Sequence, residues 1–311
     1  MTARCRLFAI LLLALSSCNP AAKPAPRPSS LDPSIFNAER AMYEVQSFVA
    51  VGPRNAGTAG AEKAAAYLYN RLQALGVAAT VDVFMAKSPE DFTVFRNVIG
   101  SIPGTGPGVI IVASHFDTKS GIEGFVGAND SGSSSGILLE LARLFAQAPS
   151  LGPEIRFVFF DGEECMQSYG PNDGLQGSRH YASQLVAAGA AKEVLAVILL
   201  DMVGDKSLSI TLPRNGAQEL KVAVMAAAHE ENVREKFSLH PFEVGDDHVP
   251  FLEAGMPAVD IIDFDFGSAP GLNDYWHTAQ DTMDKLSAES LGLIGRVTIR
   301  GENDAVGRNK K

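Results

Sequence analysis

Val109-Ile110-Ile111-Val112-Ala113-Ser114-His115-Phe116-Asp117 is the stretch on which the fold is decided. Its first six residues carry no charge and do not alternate between apolar and polar. A short continuous apolar run of this kind is the pattern of a strand buried on both faces. Such strands belong to largely parallel sheets covered by helices on either side. The run ends directly in an imidazole and a carboxylate, and open α/β sheets bind ligands beyond the carboxyl ends of their strands.

Outward from that strand the same grammar repeats. Residues 155–160, 194–200 and 258–262 are three more predicted buried strands, and 78–85 and 97–101 precede the first. Between and around them lie predicted helices over 35–50, 60–75, 133–147, 178–188, 217–229 and from 288 to 297. In the 133–147 helix Ile137, Leu138, Leu141, Leu144 and Phe145 share one face. The Gly-Pro-Arg-Asn-Ala-Gly-Thr stretch at 52–58 breaks the first helix from the second. The expected fold class is α/β, a three-layer α/β/α sandwich around a mostly parallel mixed sheet, in one domain over 31–311. The chain's 311 residues and 46% hydrophobic content suffice for a full core.

The amino terminus has a different character. Arg4 and Arg6 precede an apolar run at 7–15 that is too short to span a bilayer. It ends in Leu15-Ser16-Ser17-Cys18, which resembles a bacterial lipobox, with a plainly cleaved signal peptide as the alternative. Residues 1–17 are therefore expected to be a signal peptide, and 18–30, rich in Pro and Ala, a linker lipid-anchored at Cys18. The expected location is exported: periplasmic, or at the cell surface of a bacterium as a lipoprotein. Removing 1–17 takes two Arg and no acid, so the formal charge of -10 becomes -12. An acidic surface disfavours nucleic acid as a partner, and leaves the Cys18 anchor as the only expected membrane contact. Of three cysteines only Cys165 lies in the body of the domain. It adjoins the Glu163-Glu164 pair, and a packing role is preferred for it.

Candidate ligands gather where the sheet rule puts them. His115 and Asp117 follow one strand, Glu163 and Glu164 a second, and Asp201 ends a third. His277 follows the last strand, and Asp130 precedes the 133–147 helix. Singly, an Asp before a helix is a cap and a His is a packed or surface residue. Five loops converging on one sheet edge with imidazoles and carboxylates suit zinc, and an open position would suit catalysis. His180, His229 and His240 lie in or beside helices without a carboxylate grouping and read as structural.

Ser-His-Phe-Asp-Thr (114–118), Gly-Ala-Asn-Asp-Ser-Gly (127–132), Phe-Phe-Asp-Gly-Glu-Glu (159–164), Leu-Leu-Asp-Met-Val-Gly (199–204) and Tyr-Trp-His-Thr (275–278) resemble, in order, the co-catalytic zinc aminopeptidases and the related glutaminyl cyclases. The resemblance runs from about residue 35 to 290. It implies a zinc held by Asp130, Glu164 and His277, with Glu163 as general base. In the aminopeptidases a second zinc would add His115 and Asp201, with Asp130 as bridge. Three segments lean towards the cyclases. Gly-Asp-Asp-His-Val-Pro-Phe (245–251) resembles the cyclase segment that carries a catalytic Asp, matched here by Asp246; 173–180 looks cyclase-like; and Trp276 stands where the cyclases place an aromatic pocket wall. Tyr169 occupies the position of a cyclase-type Trp, which makes it a substrate-binding candidate and a departure.

The implied activity is conversion of N-terminal Gln of peptides or proteins to pyroglutamate with release of ammonia, using one Zn2+. Asp201 would hold the amine and Asp246 would support Glu163. The alternative is an aminopeptidase with one or two metal ions. A binding ectodomain without catalysis is the third reading, although such members would be expected to lose Glu163 or ligands that this chain keeps. The resemblance also suggests a cis peptide after Asp130.

Overall fold

The computed structural model describes residues 31–308 apart from 90 and 149–151, and 303–308 by backbone alone. The signal, anchor and linker readings fall on residues outside this range. Among the described residues no helix is long and apolar enough to cross a membrane.

Eight strands form one sheet in the order β1-β2-β4-β3-β5-β8-β6-β7. The centre is the predicted set: β3 (Val109–His115), β4 (Glu154–Phe160), β5 (Val194–Asp201) and β8 (Ala258–Asp263). These four are mutually parallel, so their carboxyl ends share one edge. Every residue of β3 and β8 is buried, as continuous apolar runs require. Both flanks join the centre through an antiparallel strand, β2 against β4 and β6 against β8. On one side β1 (Ala78–Ser88) and β2 (Asp91–Ile102) make a hairpin longer than predicted, because Phe92 and Val94 continue the pairing across from Lys87 and Met85. On the other, β6 (Ile210–Leu212) and β7 (Phe237–Leu239) are strands of three residues, too short for periodicity to mark.

The two faces of the sheet bury two separate apolar clusters. The larger joins alternate sheet residues such as Ile110, Val112, Phe157 and Ile198 to α1 (Ala38–Val49), α2 (Ala59–Ala74), α3 (Ser134–Gln147), α5 (Gln218–Glu230) and α7 (Ala288–Arg308). The smaller joins Ile111, Ala113, Val158 and Leu199 to α4 (Gln176–Ala187) and α6 (Val249–Glu253). This is the expected three-layer sandwich. The predicted 35–50 helix is divided, since Asp32 caps a short turn at Pro33–Ile35 and Asn37 then caps α1 by accepting the Arg40 N–H.

Candidate active site

The carboxyl edge of the central strands delivers the acids and imidazoles into one cleft. Its walls include Asp130, Glu163, Glu164, Asp201, Asp246, Tyr169, Trp276 and His277. They arrive from several separate turns. Gly162, at φ 70°, lets the chain reverse after β4 so that Glu163 and Glu164 follow within the turn. Asp117 fixes that turn: its carboxylate oxygens accept the N–H groups of Glu163 (3.1 Å) and Glu164 (3.2 Å). Asp117 is a candidate ligand by sequence, but it belongs to none of the metal-competent groups among the described residues. It orients the Glu pair and lies 3.4 Å from His115 Nδ1.

Asp130 sits in an irregular turn before α3, with a cis bond to Ser131. Asp281, which no sequence motif marks, accepts the N–H groups of Asn129 (2.7 Å) and Asp130 (3.0 Å). Asn129 in turn accepts the Gly204 N–H at 2.8 Å, tying this turn to the one that follows Asp201. Buried Arg54 closes the rear of the same turn by donating to the carbonyls of Phe116, Val126 and Gly127. Its place in the 52–58 helix break is the one sequence signal for it. His277 and Met202 hold positive φ values of 52° and 49°, a conformation that non-glycine residues reach at a cost and that concentrates at functional sites.

Of the three groups of described residues that could each hold a cation, one is Asp246, His248 and Asp260 and the other two share Asp130. Asp130, Glu164 and His277 bring donor atoms within 4.8 Å of one another, and His115, Asp130 and Asp201 do the same. In the first, His277 Nε2 lies 3.0 Å from Glu164 Oε1 and 3.3 Å from Asp130 Oδ2. Donors around a tetrahedral zinc at ordinary bond lengths stand about 3.3 Å apart, so the spacing of His277 from each carboxylate suits zinc. Buried Asp130 Oδ2 and Glu164 Oε2 also lack hydrogen bonds. In the second group His115 Nε2 lies 3.1 Å from Asp130 Oδ1 and 3.3 Å from Asp201 Oδ1. Asp130 therefore stands between the two groups, one oxygen towards each.

The electrostatics follow from acids crowded out of water. Burial opposes charge on His277, yet Asp130 and Glu164 carry its pKa up to about 9. Burial likewise opposes charge on His115, and Asp117, Asp130 and Asp201 raise it well above the usual imidazole range. Asp130 would be raised by burial, but the two imidazoles hold it below the usual carboxylate range. Burial and then Asp130 lift Glu164 to about 7. Burial, with Glu164 and Asp246 adding to it against His115, pushes Glu163 well above its ordinary value. The cleft thus demands positive charge, which protonated imidazoles or a metal ion can supply.

Asp246 is buried and carries a pKa raised by burial and then by Asp201 and Asp247. Behind it lie His248 and Asp260, both buried, neither marked as a site residue by sequence. The Trp276 ring stacks on the His277 ring with centroids 4.0 Å apart, and is 38% exposed at the cleft mouth. Tyr169 donates its hydroxyl to Glu163 Oε1 at 2.9 Å. Cys165 is buried, and its Sγ and carbonyl accept from Lys119 Nζ. Of the histidines read as structural, His180 does have a carboxylate, Asp82 at 3.2 Å, and stacks on Phe84 away from the cleft.

Comparison with known proteins agrees with this geometry. Residues 97–300 match the model of Peptidase family M28. A solved glutaminyl cyclase from an Acidobacteriales bacterium is 34% identical, with a TM-score of 0.82, covering 93% of this chain and 99% of that one. The glutaminyl-peptide cyclotransferase of Bos taurus is 28% identical, over 78% of this chain and 76% of its own. A solved leucine aminopeptidase precursor from Bacteroides thetaiotaomicron is 26% identical, with a TM-score of 0.74, over 85% of this chain and 96% of that one. The chain belongs to Peptidase family M28, on its glutaminyl cyclase branch.

Proposed function

We propose that this chain is a zinc-dependent glutaminyl-peptide cyclotransferase, which converts an N-terminal Gln of peptides or proteins to pyroglutamate and releases ammonia. The observation that carries the reading is Asp246, brought by the 245–251 segment into the cleft that holds Glu163, Asp201 and Trp276. A peptidase needs one base to activate water. A cyclase must also hold an amine and manage a leaving ammonia, and extra carboxylates beside the base suit that task.

Asp130, Glu164 and His277 would hold the ion. When bound, zinc would polarise the side-chain carboxamide carbonyl and stabilise charge on its oxygen. Asp201 orients the substrate amine. Glu163 takes a proton from that amine as its nitrogen bonds to the carboxamide carbon. It then gives the proton to the departing nitrogen as the C–N bond breaks and ammonia leaves. Asp246 supports Glu163 within their shared acidic environment, where burial pushes both carboxyl groups well above the usual carboxylate range. Trp276 and Tyr169 wall the cleft against the Gln side chain. Export with an anchor at Cys18, and peptide N-termini as partners, complete the proposal.

The second reading, an aminopeptidase, is favoured by the His115, Asp130 and Asp201 group, whose donors could take a second ion. Incubation of the zinc-loaded protein with Gln-initiated and Leu-initiated peptides separates the two. Ammonia with an intact cyclised peptide supports the cyclase. Liberated Leu without pyroglutamate overturns it.

A further inference from the structure

We infer that Tyr169 is a positioning residue for Glu163: its hydroxyl clamps one carboxylate oxygen so that the other is presented to the substrate amine. This rests on Glu163 being the base of the proposed reaction. The Tyr169 hydroxyl donates to Glu163 Oε1 at 2.9 Å, the only hydrogen bond to that carboxylate among the described residues. Oε2 is left for the cleft that Glu163 lines.

The loop that carries Tyr169 is built to aim it. Asp173 gathers the loop by accepting the N–H groups of Met166, Gln167 and Ser168 at 2.6, 2.8 and 2.9 Å. The chain then returns to its start, where the Leu175 N–H donates to the Glu163 carbonyl at 3.0 Å. Gly174, at φ 77°, makes room for the ring, since a Cβ there would stand 2.4 Å from Tyr169 Cδ1. Tyr169 as a whole is 48% exposed, whereas its hydroxyl donates to a buried acid. A residue serving only as an apolar wall has no need of that hydroxyl. Phenol in place of the cyclase-type indole therefore gives this chain a rigid donor to its base. A carboxylate held by one oxygen loses rotational freedom, and that matters for the rate of proton transfer more than for substrate affinity.

The test uses the full zinc-loaded chain with a Gln-initiated peptide. Tyr169→Phe keeps the ring and removes the donor. The expected result is a fall in kcat of about 10- to 100-fold, with KM and zinc content unchanged. Tyr169→Trp is expected to lose kcat in the same way. Infrared difference spectra give a readout that needs no turnover. The carboxyl band of Glu163 is expected to shift between wild type and Tyr169→Phe, and the shift to vanish when both carry Glu163→Gln. An unchanged kcat, a rise in KM alone, or a band shift that survives Glu163→Gln would overturn the clamp. If wild type liberates amino acids and forms no pyroglutamate, the function reading fails, while the infrared comparison still decides the clamp.

Discussion

At the scale of single residues, two adjacent acids have separate surroundings. Glu164 faces Asp130 and His277, and Glu163 faces Tyr169 and the cleft. Glu163→Gln is expected to lower kcat by about 10²- to 10⁴-fold and to leave zinc content unchanged, checked by steady-state kinetics beside metal analysis. His277 sets a pH dependence. With its pKa at about 9 in the absence of metal, a proton must leave before its nitrogen can ligate. Zinc affinity is therefore expected to rise with pH towards 9 and to weaken below it. Calorimetry in buffers of different ionisation heats should show proton release on binding; affinity independent of pH would contradict the coupling. His277 is legible in the sequence because it stands in Tyr-Trp-His-Thr after a strand. Asp281 is not, because it acts only through the N–H groups of Asn129 and Asp130, and no local pattern marks a partner some 150 residues away.

At the scale of elements, positions are legible where a period or a run is long. The four central strands can be read because buried parallel strands announce themselves as apolar runs. The strands β6 and β7 and the five-residue α6 escape such a reading, and His248 beside α6 with them, since hydrophobic spacing has no length in which to repeat. Packing between α1 and α3 is tight at Gly136, where a Cβ would lie 2.3 Å from Val45 and 2.8 Å from the Ala41 carbonyl. Gly136→Ala is expected to destabilise by about 1–3 kcal/mol in denaturant unfolding, despite the better helix propensity of Ala. Equal or greater stability would show that the two helices can separate freely. The turn before α3 is held from outside by Asp281. Asp281→Asn should therefore weaken zinc binding by about 10- to 100-fold in a competition titration with a chelator, although Asp281 touches no ligand atom of the ion.

At the scale of the whole molecule, sheet topology does the collecting. Parallel strands β3, β4, β5 and β8 end on one edge, so residues as far apart as His115 and His277 meet there without a second domain. The motifs, their order and the sandwich are readable because three of the five motifs sit at the ends of apolar strands. The hydroxyl of Tyr169 on Glu163 and the depth of the Asp246 cluster need the folded chain. The central claim is that Asp130, Glu164 and His277 grip one zinc with Glu163 beside it. Anomalous scattering at the zinc edge from crystals of the metal-loaded protein tests this most directly. The expected map holds one peak, about 2.0–2.2 Å from a donor atom of each of the three. A map with no peak between them, or with zinc bound only elsewhere, would contradict the account.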